Sequence, residues 1–150
     1  MSDPLSVNTV LVPVDGSDES VTAVDYGVTI AARYGASVHL VYVVGEEVVR
    51  GIEAERVSKE AVAEEAGAFA DRALELAEEA SVPANNSTAF GFSPTRKSRH
   101  PGSVILDTAD DIGADFIVVP REGRAENTGE VLEKAAEYVL LYASQPVLSV

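Results

Sequence analysis

The segment Thr9 to Asp15, TVLVPVD, constrains the fold more than any other part of the chain. It is too short for a helix, rich in β-branched residues and free of polar alternation. A strand with no polar face must be covered on both sides, as happens inside a parallel sheet sandwiched between helices. The same pattern returns at Ser37 to Val44 (SVHLVYVV), Phe116 to Val119 (FIVV) and Pro146 to Val150 (PVLSV). Asn86 to Phe92 makes a weaker strand, interrupted by Gly91.

Between these runs the apolar spacing changes to three and four. From Ser17 to Tyr34, Val21, Val24, Val28 and Ala31 share a face, Ser17 or Asp18 can cap the start, and Gly35 can close the end. A polar connection then leads into a long acidic helix, Glu53 to Ala80, with Val62, Ala66, Phe69, Ala73 and Leu76 on one side. Ile105, Ala109 and Ile112 mark a shorter helix closed by Gly113, and Val131, Ala135, Tyr138 and Tyr142 stripe the last one. Five strands and four helices in alternation predict an α/β fold, a doubly wound parallel sheet with right-handed crossovers. Ligands of such sheets bind beyond the carboxyl ends of the strands, where the winding reverses.

At 150 residues and 46% apolar composition, residues 1–150 fit one domain, of a size that buries roughly 70% of its unfolded surface. Against 25 acidic residues stand 11 basic ones, a net charge of −14. That balance repels nucleic acid and anionic membranes, so neither is expected as a partner. No run approaches the ~18 apolar residues of a membrane span, and MSDPLSVN lacks the pattern of a signal peptide, so a cytoplasmic location is expected. The absence of cysteine excludes disulfides, thiolate metal sites and thiol nucleophiles.

Few residues point to catalysis. His39 reads as a packed strand residue, since no second His, Cys or carboxylate flanks it, and no metal site is expected. Ser17 and Ser20 have no histidine base nearby, and capping or solvent exposure accounts for them; Asp110 and Asp111 read as solvated helix residues. The basic run Arg96, Lys97, Arg99 and His100 stands alone in an acidic chain. It reads as a surface loop balancing local acidity, or as a seat for a small anion or an acidic partner segment.

Three stretches, TVLVPVDGSDES, HPGSVILDTADDIGADFIVVP and EYVLLYASQPVLSV, resemble the universal stress protein family, and the intervening elements match it in order and length. The resemblance implies a flavodoxin-like five-stranded sheet of order 3-2-1-4-5, and a homodimer joined through the edge strand Val147 to Val150. It also implies two branches, one binding ATP and one not. In the ATP-binding branch the residues matching Pro13 and Asp15 close the first strand at the nucleoside, the position of Val41 offers backbone to adenine, and a G-x2-G-x9-G-[ST] loop wraps the phosphates. Here that loop reads Pro120, Gly123, Glu133 and Lys134, so one of its positions matches.

The substitutions carry physical weight of their own. Pro120 has no N–H to offer phosphate, and a hydrogen bond to a charged group is worth about 1.5–3 kcal/mol. Glu133 adds a negative charge, and two unit charges about 6 Å apart at an effective dielectric near 20 repel by roughly 3 kcal/mol. Nor does Gly123 to Gly129 make a phosphate-binding P-loop, which needs a following Lys-Ser or Lys-Thr. A plainer use of the segment is a helix start, with Thr128 as cap, Glu130 answering the helix dipole and the apolar stripe running on through Glu133. Arg121, Arg124 and Lys134 can still attract an anion through side chains. The expectation is a dimeric stress-response module that is not an enzyme, requires no cofactor, binds ATP weakly or not at all, and acts on an unidentified protein partner. The alternative is an ATP or AMP sensor with an altered loop.

An acidic surface with only three lysines (Lys59, Lys97 and Lys134) reads as adaptation to concentrated salt, or as an ordinary acidic protein. The first reading predicts a thermal unfolding midpoint that climbs steeply from dilute buffer to molar salt, where the screening length falls to about 3 Å. A flat or falling midpoint across a salt series assigns the second.

Overall fold

The computed structural model describes residues 6–90, 100–120 and 130–150, with backbone alone at 46, 47, 90 and 130–134. The strands are β1 (Thr9–Val14), β2 (Ser37–Val44), β3 (Ala84–Phe90), β4 (Phe116–Val119) and β5 (Val147–Ser149). The helices are α1 (Asp18–Tyr34), α2 (Glu46–Glu53), α3 (Lys59–Glu79), α4 (Pro101–Ile112) and α5 (Glu130–Tyr142). All pairings are parallel, and the sheet runs β3-β2-β1-β4-β5.

Two-sided burial explains the apolar runs. Along β1, Val10, Val12 and Val14 join the core with Val24, Val28 and Phe69 from α1 and α3. Leu11 points the other way and joins Val41, Ile105, Ile117 and Val139 under α4 and α5. Strand side chains alternate faces, so an uninterrupted apolar run is what two helical layers require. Ser17 caps α1, its side chain accepting from the Ser20 amide, and Gly35 and Gly113 end α1 and α4 at a φ of 67°.

Three boundaries differ from the sequence reading. The helix expected from Glu53 to Ala80 begins at Lys59, and the connection before it holds α2, which makes five helices rather than four among the described residues. Ser58 causes the break, its side chain accepting the Ala61 amide as an N-cap, while Glu55 turns the chain at a φ of 59°. The third strand begins at Ala84 rather than Asn86, directly after Pro83, whose carbonyl accepts the Val38 N–H at 2.9 Å. No described helix is long and apolar enough to cross a membrane.

Where α1 crosses β1, a Cβ added at Gly27 would lie 2.6 Å from Val12 Cγ2, inside van der Waals contact with a stiff β-branched core residue. At Gly67 in α3 an added Cβ would meet nothing within 4 Å. Gly27→Ala should therefore destabilise by about 1–3 kcal/mol through overpacking, while Gly67→Ala should stabilise by up to about 1 kcal/mol through helix propensity. Chemical denaturation of both variants checks the opposite signs.

Candidate functional site

The sheet opens at its topological switch point because a proline sits in its central strand. Asp115 N donates to the Thr9 carbonyl at 3.1 Å, and backbone groups alternate in direction along a strand, so the amide position of Pro13 faces β4. Pro13 has no N–H to give there. Pairing between β1 and β2 accordingly runs to Val14↔Tyr42, whereas pairing between β1 and β4 stops at Leu11↔Ile117. The carboxyl ends of β1 and β4 part company where a doubly wound sheet receives its ligand.

Asp15 stands at the mouth of that opening, locked on one side only. Its Oδ1 accepts the Ser17 N–H at 3.0 Å and the Ser20 hydroxyl at 2.8 Å, and its own N–H donates to Ser20 Oγ at 2.9 Å. Ser17 Oγ lies 3.2 Å from Ser20 Oγ. The bond set fixes Oδ1, and Oδ2 is buried without a hydrogen-bond partner among the described residues. A buried carboxylate oxygen left unsatisfied is costly, and a ligand hydroxyl or amine relieves the cost. Gly16 makes the turn possible at a φ of +87°, and a Cβ there would lie 3.0 Å from Tyr42 Oη. Burial first, then the nearby charges of Glu65 and Asp15, holds the Tyr42 phenol above its usual range and keeps it a donor.

Of the other residues singled out in the sequence, some lie in described elements and some outside the described residues. Val41 is fully buried, in register with Pro13 on one side and Ser87 on the other, so its peptide groups lie inside the ladder. Val43 is the next residue of β2 to face β1, just past the last pair with that strand. Pro120 is buried directly after β4. Arg121, Gly123, Arg124 and Thr128 lie outside the described residues, as do Arg96, Lys97 and Arg99. Positions 133 and 134 fall within α5, past the first three N–H groups that a helix leaves free, so their amides belong to the helix.

Two further roles were hidden in the sequence. Ser20 is neither a cap nor exposed: it is wholly buried and orients Asp15, and the spacing Asp-Gly-Ser-x-x-Ser is the only signal that points to it. His100 caps α4, its Nδ1 accepting the Gly102 N–H at 2.9 Å, and its ring stacks on Tyr138 at 4.6 Å. His39 pairs with side chains of the neighbouring strand, Nδ1 to Asn85 Oδ1 and Nε2 to Ser87 Oγ at 2.8 Å. No group of three His, Cys, Asp or Glu among the described residues is placed to hold a metal ion.

A profile of the universal stress protein family matches residues 6–150. The chain is 29% identical over 144 residues to the universal stress protein MJ0531 of Methanocaldococcus jannaschii, covering 94% of this chain and 80% of that one. Among solved structures it resembles a universal stress protein in complex with cAMP, with a TM-score of 0.68 at 23% identity, covering 97% of this chain and 98% of the other. It also resembles the Archaeoglobus fulgidus universal stress protein in complex with dAMP, with a TM-score of 0.63 at 21% identity, covering 95% and 96%.

Replacing Ser20→Ala should leave the Asp15 amide without its acceptor and Oδ1 with a single donor. The expected loss is about 1–3 kcal/mol of stability, read from a denaturation midpoint that falls at unchanged slope. A midpoint within error of the parent protein would mean that the Asp15 turn holds itself without Ser20.

Proposed function

The chain belongs to the universal stress protein family, and on that premise we propose that it is a dimeric, non-enzymatic regulatory module of the cytoplasm. Its cleft takes the nucleoside end of an adenine nucleotide and grips a triphosphate weakly. The observation that carries the reading is Asp15, with Oδ1 held by Ser17 and Ser20 and Oδ2 buried without a partner among the described residues. A ribose hydroxyl is the donor such an oxygen needs. That structural relatives are found with cAMP and dAMP, each carrying a single phosphate, favours a ligand of the AMP class.

Beyond the nucleoside, the support for holding further phosphates thins out. Pro120 offers no N–H, and the amides at 133 and 134 are taken up by α5. Each missing charge-assisted bond removes about 1.5–3 kcal/mol, and every 1.4 kcal/mol is tenfold in affinity. AMP should therefore bind at least as tightly as ATP in calorimetry. The combined variant Pro120→Gly, Glu133→Gly, Lys134→Ser should gain tenfold or more in ATP affinity with little change for AMP. Micromolar ATP binding by the parent chain, well ahead of AMP, would overturn the weak-triphosphate reading.

The pairing surface is the open edge of β5. Next to that strand in sequence, the end of α5 carries Leu140, Leu141 and Tyr142, exposed by 53, 75 and 66%. Large apolar side chains beside an edge with unpaired backbone groups suit antiparallel pairing with a second copy. A Val147→Pro variant, which removes a backbone donor from the edge, should run as a monomer in light scattering. A dimer that survives the change would put the interface on another face.

A further inference from the structure

On the side of the sheet away from Leu11 and Val41, α3 does not close against the edge of the sheet. Its inner face presents Ala63, Ala66, Gly67 and Ala70, and beneath them remains a cavity of about 160 Å³. Leu40 and Tyr42 of β2 and Phe69 of α3 line it from below and one end. The volume is close to the ~150 Å³ of an apolar cavity known to admit benzene. This one is not purely apolar. Asn86 and Thr88, in register with Leu40 and Tyr42, bring polar side chains to the same face of β3. Neither these two side chains nor the Tyr42 hydroxyl makes a hydrogen bond within the described residues.

Two carboxylates act on the tyrosine of the cavity. Glu65 of α3 and Asp15 of the β1–α1 turn act on the Tyr42 phenol, both pushing its proton affinity up. The Phe69 ring already draws a cation, Arg72, whose guanidinium carbon lies 5.5 Å from the ring centre. Tyr42 meets Phe69 edge to face at 6.3 Å, which leaves the tyrosine ring to the cavity. Aromatic walls, oxygen acceptors without a partner among the described residues, and the carboxylate of Glu65 acting on Tyr42 together suit an ammonium group on an apolar body.

We propose that the cavity between α3 and the β2–β3 edge is a second binding site, which takes a small organic cation: one ammonium group on an apolar body about the size of a benzene ring. The ammonium donates to Tyr42 Oη, Asn86 and Thr88, the body fills the space over Ala66, Gly67 and Ala70, and Glu65 supplies the countercharge. Because Tyr42 Oη abuts Gly16, an occupant bears on the turn that holds Asp15. The two sites touch at that turn, yet failure of either reading leaves the other standing.

The test compares benzylammonium with its neutral and anionic counterparts, toluene and benzoate, by calorimetry and by tyrosine emission. Benzylammonium should bind at least tenfold more tightly than either. Gly67→Leu, which extends a side chain into the empty space, should weaken it tenfold or more, and Ala63→Leu at the exposed rim is the second filling variant. Glu65→Gln should bring benzylammonium down towards toluene. The emission change should vanish in Tyr42→Phe. No binding of any probe overturns the proposal, as does toluene or benzoate equalling benzylammonium, or benzylammonium affinity unaltered in both filling variants.

Discussion

The central strand must bury both of its faces, and the positions of the other elements follow from that requirement. Val10, Val12 and Val14 draw α1 and α3 to one side of the sheet, and Leu11 draws α4 and α5 to the other. Each such side chain contributes about 1.5–3 kcal/mol when fully buried, so a sheet covered on one face alone would forfeit half of this drive. Right-handed crossovers then leave little choice but to wind outward in both directions, giving the order β3-β2-β1-β4-β5.

Against that background Pro13 is a deliberate weakness. A missing ladder bond in the middle of a sheet costs on the order of 1 kcal/mol, and it is placed where the winding reverses. The gap it starts between β1 and β4 lies next in the chain to Asp15, whose Oδ2 is buried without a partner among the described residues. Stability given up in the sheet is recovered in the Asp15–Ser17–Ser20 bond set, which is local, buried and rigid.

Among the described residues, the surroundings of the cleft are frugal with anion donors. His100 consumes one amide at the start of α4, and α5 consumes those at 133 and 134. A chain of net charge −14 has no long-range attraction for polyphosphates to make good the difference. The same acidity, concentrated by Glu65 near Tyr42, is an advantage for a cation under α3. One negative background thus weakens a polyphosphate at the cleft and favours a cation under α3.

The sequence by itself determined the strands, most of the helices and their ends, because each depends on a local pattern: β-branched runs, a three-and-four apolar spacing, Ser17, Gly35 and Gly113. It also determined that Pro120 gives no N–H, a matter of covalent structure. What it left open was settled by particular contacts, some near and some distant in the chain, that no periodic pattern announces. The split between α2 and α3 was illegible because Glu- and Ala-rich sequence favours helix on both sides of Ser58, and one side-chain cap decides the boundary. The early start of β3 depends on Val38 reaching Pro83, forty-five residues away. Ser20 looked like a surface serine until the turn folded it against Asp15. That the peptide groups of Val41 face β1, opposite Pro13, also depends on the register of the two strands. The cavity under α3 exists only because short side chains on a helix face an edge strand carrying Asn86 and Thr88, a juxtaposition that no local pattern encodes.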